Sequence, residues 1–197
     1  MRNVGAIILA AGGSSRYGRA KQLLSFQGES LVRRAVRAAI EGGCACVTVV
    51  VGEARRRIET ELRETPAIIL ENPEWQHGLG TSIRCGLRHL LSSRPELDAA
   101  VLLACDQPFV DASVIMSLIA QWENSHRPIV ASSYANTLGI PALFERPCFE
   151  ALLALPDDSG AKALIASRSA DVLQVEFEKG AIDIDTPADF DQIRTEG

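Results

Sequence analysis

The sequence predicts an α/β fold, a three-layer sandwich built on a mostly parallel central sheet. Apolar runs of strand length recur along the chain, and segments with helical patterning separate them. The runs are uninterrupted, which is typical of strands that helices cover on both faces. The chain has 197 residues, 47% of them hydrophobic, as expected for a compact domain. We therefore expect a single domain over residues 1–197 in which strands and helices alternate.

Each predicted element follows from a local pattern. The strands are the apolar runs at residues 4–10, 46–51, 67–70, 99–104 and 129–131. The first helix follows from an apolar stripe at helical spacing, made of Leu31, Ala35, Val36, Ala39 and Ile40. The glycine pair at residues 42–43 predicts its end. Similar stripes predict helices near residues 54–63, 81–91, 112–124, 148–155 and 160–167.

The charge balance and the lack of long apolar runs narrow the class of partner. Lys and Arg number 20 against 25 Asp and Glu, a formal net charge of −5. Duplex binding relies on clustered positive charge, so a nucleic-acid partner is not expected. No apolar run approaches the ~20 residues of a membrane span, and the first residues lack the pattern of a secretory signal. We expect a soluble, cytoplasmic protein without a membrane partner.

A glycine-rich loop with three cations follows the first strand, at residues 9–22. Glycines such as Gly12 and Gly13 let backbone N–H groups approach a polyphosphate closely. Arg16 and Lys21 can neutralise phosphate charge from the side. The spacing matches neither the Walker A motif nor the dinucleotide-binding fingerprint. From these residues alone, a phosphate cradle and a glycine-rich turn with surface cations are both open.

A carboxylate, Asp106, appears at the carboxyl end of the strand predicted at residues 99–104. Ligands of open α/β sheets bind beyond the carboxyl ends of the strands. Mg²⁺ takes one or two protein carboxylates together with phosphate oxygens and waters. Asp106 therefore fits a magnesium site, although an Asp shortly before a proline also fits a turn cap.

A second acidic site lies near the end of the sequence. Alternation along an extended segment would place Asp183 and Asp185 on the same side. The same stretch also fits the start of a helix, with Thr186 as the N-cap and Pro187 as the first helical residue. Both interpretations are open at this point.

Taken together, these segments resemble the nucleotidyltransferase superfamily whose members carry a leucine-alanine-alanine-glycine signature loop. Within it, the chain is most similar to the molybdenum-cofactor nucleotidyltransferases, which join a nucleotide to molybdopterin. The order and spacing of the matching segments extend the resemblance through nearly the whole chain. These segments are residues 9–22, 72–75, 78–82, 106–108, 139–144, 158–162 and 183–187.

The resemblance implies a Rossmann-like nucleotidyltransferase fold of the glycosyltransferase-A type and roles for particular residues. Arg16, Lys21 and Asp106 would be catalytic, with the two cations on the phosphates of a nucleoside triphosphate. Mg²⁺ would bind at Asp106 and Asp185, with Asp183 as a further candidate ligand. The implied nucleotide-binding residues are Leu9, Ala10, Ala11, Gly12, Gly13, Ser14, Ser15, Arg16 and Lys21, with Gly78, Gly80, Thr81 and Ser82 on the side of the base and ribose.

The resemblance also implies the reaction, transfer of a CMP group from CTP to a phosphorylated acceptor with release of pyrophosphate. Molybdopterin is the first choice of acceptor, and a molybdoenzyme that receives the product is an implied partner. CTP is preferred because the cytidylyl branch typically has alanine at the position of Ala11, where the guanylyl branch has glycine. The alternatives are guanylyl transfer from GTP, transfer to a sugar phosphate, and a non-catalytic nucleotide-binding accessory protein.

Two further residues bear on the ligand pockets. Asp157 stands where a glycine is common in relatives, next to the segment expected to face the acceptor. Trp75 is expected to pack its own loop, and stacking on a base or a pterin is the alternative.

Overall fold

The chain forms one central sheet flanked by helices. The computed structural model describes residues 3–13 and 20–195. Within these residues there are a seven-stranded sheet, a two-stranded hairpin and seven α-helices. The α/β class predicted from the sequence is confirmed.

The central sheet is mostly parallel, as predicted. The strands are β1 (Val4–Ala10), β2 (Ser25–Phe26), β3 (Glu29–Ser30), β4 (Cys46–Val51), β5 (Ile68–Glu71), β6 (Ala99–Ala104), β7 (Ile129–Tyr134), β8 (Thr137–Glu145) and β9 (Val172–Glu176). The order in the sheet is β5-β4-β1-β6-β8-β7-β9, while β2 and β3 form the hairpin. Neighbouring strands run parallel except at β8, which is antiparallel to both β6 and β7.

The helices lie close to their predicted positions. They are α1 (Leu31–Glu41), α2 (Arg55–Glu61), α3 (Leu79–Ser93), α4 (Ala112–Ser125), α5 (Phe149–Leu153), α6 (Ala161–Ser167) and α7 (Pro187–Thr195). Short 3₁₀ turns at Lys21–Leu23 and Trp75–His77 precede β2 and α3. In the part of the chain that the structure describes, no helix combines the length and the apolar character that a membrane crossing requires.

Helices cover both faces of the sheet and produce the three layers. Along β1, alternate side chains point to opposite faces. Ile8 packs in a buried cluster with residues of α1, α2 and α4, such as Ile58 and Ile115. Ile7 packs in a second cluster with residues of α3, α5 and α6, such as Leu87. A strand buried on both faces explains why the apolar run of β1 is uninterrupted.

Some elements differ from the sequence prediction. The strands β8 and β9 and the β2–β3 hairpin are not predicted, because none of them is apolar along its whole length. Gly139 and Pro141 interrupt β8, and β9 lies at the edge of the sheet with partly exposed side chains. The placement of Ile40 on the buried stripe of α1 is wrong, since this residue lies in the last helical turn and is 37% exposed.

The strand order creates a crevice at the carboxyl end of β1. The chain passes from β1 to β4 on one side, whereas β6 lies on the other side of β1. Because β1 and β6 are adjacent and parallel, the loops that follow them leave the same edge of the sheet side by side. Open α/β sheets bind ligands at such a switch point, so the fold places the two loops singled out from the sequence at the expected position.

Candidate active site

A cleft of about 340 Å³ opens at the carboxyl ends of β1 and β6. Its lining includes residues 9–13 after β1, Lys21, Asp106 after β6, and Gly78 and Ser82 at the start of α3. Three segments that are far apart in the sequence thus meet in one cavity. The predicted nucleotide-binding residues Ser14, Ser15 and Arg16 lie outside the described residues.

Among the described residues, Lys21, Asp106 and Asp185 form an ion-pair network beside the cleft, which we call the charged wall. The Lys21 Nζ atom donates to Asp106 Oδ2 at 2.8 Å and to Asp185 Oδ1 at 2.8 Å. The Lys21 side chain is 13% exposed, whereas those of Asp106 and Asp185 are 24% and 46% exposed. The two acidic residues that the resemblance assigns to one metal ion therefore lie on either side of a single ammonium group.

The charges of this wall perturb one another. Burial acts to lower the pKa of Lys21, but the carboxylates of Asp106 and Asp185 outweigh it, and the pKa is raised. Burial raises the pKa of Asp183, and the nearby charges of Asp106 and Asp185 raise it further. Three carboxylates therefore share one region of negative potential, and Lys21 supplies the compensating positive charge.

The segment that carries Asp183 and Asp185 is fastened directly to the loop after β6. The fully buried Ile184 lies between them, and its N–H donates to the Asp106 carbonyl oxygen at 3.0 Å. The segment also starts α7: the Asp189 N–H donates to Thr186 Oγ1 at 3.3 Å, and the Thr186 N–H donates to Asp189 Oδ2 at 2.7 Å. The interpretation as a helix start therefore holds, and the cap fixes the backbone next to Asp185. A metal site at Asp183 and Asp185 stays a prediction.

The glycine loop after β1 is held by a residue that the sequence analysis missed. The Gln22 Nε2 atom donates to the carbonyl oxygens of Ala10 at 3.0 Å and of Gly12 at 2.9 Å. Gln22 is only 2% exposed. These two hydrogen bonds fix the start of the loop. The position of Gln22 next to Lys21 is the only sequence signal for this role.

The opposite side of the cleft, which we call the turn wall, consists of residues 75–82 and of Asn72, which bonds to Thr81 and Ser82. Gly78 has a φ of 132°, and a Cβ atom there would lie 2.3 Å from the Asp157 carbonyl oxygen. A Cβ atom on Gly80 would lie 2.0 Å from the Pro156 carbonyl oxygen. Both glycines are thus required by the close approach of the 156–159 segment. Gly78 also lines the cleft, whereas a nucleotide contact at Gly80 stays a prediction.

The polar side chains of the turn wall are bonded within the protein. The Thr81 hydroxyl donates to the Gly78 carbonyl oxygen at 2.7 Å and accepts from Asn72 Nδ2 at 2.8 Å. The same amide nitrogen donates to Ser82 Oγ at 3.0 Å, and Asn72 Oδ1 accepts from the Glu74 N–H at 3.0 Å. Asn72 is thus the centre of this wall. A role for Thr81 in nucleotide binding stays a prediction.

The side expected to face the acceptor is tied to the turn wall by an ion pair. Arg84 of α3 pairs with the Asp157 carboxylate and also donates to the Leu155 carbonyl oxygen. The Arg84 side chain is 14% exposed. The departure from glycine at Asp157 therefore adds a charged contact that fastens the 155–159 segment to α3.

The donor set of the charged wall fits a hard divalent cation that arrives with a triphosphate. Among the described residues, no three His, Cys, Asp or Glu side chains form a ready-made metal-binding group. Two carboxylates, Asp106 and Asp185, lie on either side of the Lys21 ammonium group. Mg²⁺ binds to one or two carboxylates and completes its shell with substrate phosphates and waters, so these residues match that pattern.

Comparison with known proteins places this geometry in context. A family model described as a MobA-like NTP transferase domain matches residues 6–172. The nicotine blue oxidoreductase of Paenarthrobacter nicotinovorans is 32% identical over 73% of this chain and 67% of that protein. The purine catabolism protein PucB of Bacillus subtilis is 28% identical over 95% of this chain and 94% of its own. The molybdenum cofactor cytidylyltransferase of Escherichia coli is 22% identical over 96% and 95%, respectively.

Solved structures share the fold. Rv0371c from Mycobacterium tuberculosis superimposes with a TM-score of 0.85 at 23% identity, covering 98% of both chains. The same protein in complex with manganese has a TM-score of 0.79 at 24% identity, covering 99% of this chain and 100% of that one. A nucleotidyl transferase from Methanothermobacter has a TM-score of 0.83 at 19% identity, covering 100% and 98%. The predicted nucleotidyltransferase fold is therefore confirmed.

Proposed function

The chain belongs to the MobA-like NTP transferase domain family, and from this premise we propose that it transfers a CMP group from CTP to a phosphorylated small molecule. Molybdopterin is the proposed acceptor, and pyrophosphate is the second product. One observation carries the proposal: the glycine loop, Lys21 and Asp106 line a single cleft at the switch point of the sheet. We also propose that residues 1–197 act as a single nucleotidyltransferase domain.

The proposed reaction is an in-line displacement at the α-phosphorus of CTP. An oxygen of the acceptor's terminal phosphate forms the new bond to this phosphorus. The bond from the α-phosphorus to the bridging oxygen breaks, and pyrophosphate leaves with the electron pair. Because the attacking phosphate is already anionic, the residues of the cleft need not remove a proton. Positioning and charge stabilisation are then the main contributions of the protein.

The residues of the cleft divide these tasks. The N–H groups of the loop that starts at Gly12 and Gly13 are proposed to bind the phosphates. The Lys21 ammonium group, with Arg16 as a second predicted cation, stabilises negative charge on the transferring group and on pyrophosphate. Asp106 and Asp185 would hold Mg²⁺, with Asp183 as a further candidate. The bound ion would supply charge neutralisation and orientation of the triphosphate.

The choice of CTP and of molybdopterin rests on sequence similarity. Ala11, which lines the cleft, is the position at which the cytidylyl branch typically has alanine. The similarity to the cytidylyltransferase of Escherichia coli extends over most of both chains. GTP, a sugar phosphate acceptor, or a non-catalytic nucleotide-binding role are the competing assignments. A molybdoenzyme that accepts the product is the proposed protein partner.

The direct test is pyrophosphate release by the purified chain with Mg²⁺. CTP and GTP are each combined with molybdopterin or with a set of sugar 1-phosphates. We expect release with CTP and molybdopterin, and release slower by about 10²–10³ with an Asp106→Ala variant. Release with GTP or with a sugar phosphate would replace the proposed substrates and keep the reaction class.

A second arm addresses the similarity to an oxidoreductase. The chain is mixed with NADH or NADPH and an acceptor dye, and nicotinamide oxidation is followed by absorbance. We expect no oxidation above the rate without protein. Oxidation that depends on the protein, without pyrophosphate release from any nucleotide, would overturn the proposal.

A further inference from the structure

Trp75 lies between two glycines that come from different loops of the cleft. A Cβ atom on Gly13 would lie 2.7 Å from Cζ3 and 2.8 Å from Cη2 of the indole. A Cβ atom on Gly52, just after β4, would lie 2.8 Å from Cγ and 2.9 Å from Cδ1 of the same ring. The six-membered end of the indole therefore supports the loop after β1, and the five-membered end rests on the loop after β4.

The backbone of Trp75 is fixed independently of these contacts. Its N–H donates to the Asn72 carbonyl oxygen at 3.3 Å, and its own carbonyl oxygen accepts from the Gly78 N–H at 3.3 Å. The Asn72 N–H in turn donates to the Val51 carbonyl oxygen at 2.9 Å, at the end of β4. The indole is thus anchored to the central sheet, and the adjacent part of the glycine loop rests against it.

The neighbouring glycine provides a contrast within the same loop. A Cβ atom on Gly12 would meet nothing within 4 Å. Packing within the protein therefore imposes a glycine at position 13 and not at position 12. Close packing transmits even small changes of volume to the neighbouring backbone, so the size of the side chain at position 75 determines how far the Gly13 backbone extends toward the cleft.

We propose that Trp75 is a positioning residue. Its indole sets how far the Gly13 backbone extends toward the cleft, and thereby the geometry of the glycine loop that binds the triphosphate. This inference rests on the proposed function, since it assumes that the loop binds a nucleoside triphosphate. Trp75 acts through Gly13 and need not touch the reacting atoms. It belongs to the turn wall and contacts the loop after β1, so one side chain sets this wall and that loop relative to each other.

The test is a pair of substitutions in which the second relieves the clash that the first creates. Gly13→Ala places a methyl group against Cζ3 and Cη2, and we expect it to weaken binding of CTP with Mg²⁺ by about tenfold or more. Trp75→Phe removes that end of the ring. We expect CTP affinity to fall by a few-fold, because the Gly13 backbone loses part of its support and is displaced. The double variant should bind CTP within about threefold of Trp75→Phe alone, because the clash no longer exists.

Gly52→Ala is the matched control. Its methyl group would meet Cγ and Cδ1, atoms whose counterparts remain in phenylalanine, and it would lie 2.8 Å from the Ala11 carbonyl oxygen. Trp75→Phe should therefore not restore a Gly52→Ala variant. Calorimetric CTP affinity and the thermal midpoint are measured for every variant.

The outcomes separate this inference from the proposed function. If the wild-type chain binds neither CTP nor GTP, the proposed function fails. If the wild type binds CTP but Gly13→Ala with Trp75→Phe stays as weak as Gly13→Ala alone, the positioning role is overturned. The role is also overturned if the substitutions at positions 13 and 75 lower the thermal midpoint and leave CTP affinity unchanged, because the contact would then serve stability only.

Discussion

The two sides of the cleft differ in the exposure of their polar side chains and in the partners to which these side chains bond. In the charged wall, Lys21 contacts two carboxylates that are themselves partly open to solvent. In the turn wall, Asn72 and Thr81 are 2% and 3% exposed, and they bond to each other and to the backbone. The first wall can exchange its ionic partners for a ligand, whereas the buried polar groups of the second are already bonded within the protein.

Because of this difference, we expect substitutions in the charged wall and in the turn wall to have different effects. Removing a charge from the charged wall should change chemistry and ion binding more than stability. Removing a polar group from the turn wall should cost stability first, because it leaves buried donors and acceptors without partners.

Asp106→Ala should have the largest effect. The substitution removes a carboxylate that contacts Lys21 at 2.8 Å, and we expect kcat to fall by about 10²–10³. The thermal midpoint should change little. Asp191→Ala, at an exposed position of α7, is the control and should keep wild-type turnover. A variant at position 106 that retains metal-dependent pyrophosphate release would break the comparison.

Lys21→Met tests whether the ammonium group competes with a divalent cation. We expect nucleotidyl transfer to fall by about 10². At the same time, Mn²⁺ affinity without nucleotide, followed by electron paramagnetic resonance, should rise by about tenfold, because the two carboxylates lose their internal cation. Lys179→Met, whose ammonium group lies over the Phe109 ring, should leave Mn²⁺ affinity unchanged. Equal Mn²⁺ affinities in the wild type and Lys21→Met would show that Lys21 does not compete with the metal ion.

Asn72→Ala should act mainly on stability. It removes the side-chain bonds to Thr81, Ser82 and the Glu74 N–H, and we expect the free energy of unfolding to fall by about 2–3 kcal/mol. Denaturant titration measures this change. Asn3→Ala, which removes an exposed bond to Glu96, is the control and should cost much less. A loss of stability no greater than that of the control would contradict the rigid-wall account.

Asp111→Ala should have the smallest effect, because Asp111 belongs to neither wall. Asp111 caps α4 by accepting from the Ser113 N–H at 2.9 Å and the Val114 N–H at 3.2 Å, so its loss should cost about 1 kcal/mol of unfolding free energy. CTP affinity should not change. Altered CTP affinity in this variant would show that cleft function follows global stability rather than local contacts.

The same cap predicts a dependence on pH. Burial acts to raise the pKa of Asp111, but hydrogen bonds from Ser113 and Val114 outweigh it, and the pKa is lowered. A lowered pKa in the folded state means that the charge stabilises the fold above the unfolded-state pKa and that this stabilisation is lost as pH falls through the folded pKa. The stability gap between the wild type and Asp111→Ala should therefore narrow below about pH 4.

The parts of the fold that the sequence predicts are those decided by local burial. The run at Val4–Ala10 is buried along its whole length, so its apolar pattern is continuous and its bounds are predicted to the residue. Thr137–Glu145 is a strand because it pairs with β6 and β7. Pairing between distant segments leaves no periodic signal in the strand itself, so this strand is missed.

In the candidate site, too, some contacts can be predicted from the sequence and others cannot. Lys21 and Asp106 are 85 residues apart in the sequence, yet their side chains are in contact. This contact follows from the rule that the loops after adjacent parallel strands meet at the switch point. The roles of Gln22 and Asn72 could not be predicted, because a buried amide that bonds to the backbone has the same residue type as an exposed one. The support of Gly13 by Trp75 depends on the distance between two loops, which sequence spacing does not encode.

The central claim is that a triphosphate and a divalent cation meet in the cleft between the glycine loop and the charged wall. Crystals grown with Mn²⁺ and a non-hydrolysable CTP analogue test it by anomalous scattering. The account predicts a manganese peak bound by Asp106 and Asp185, with the triphosphate lying along residues 12 and 13 and Lys21 moved onto a phosphate. A nucleotide bound elsewhere, or a manganese peak away from Asp106, would contradict it.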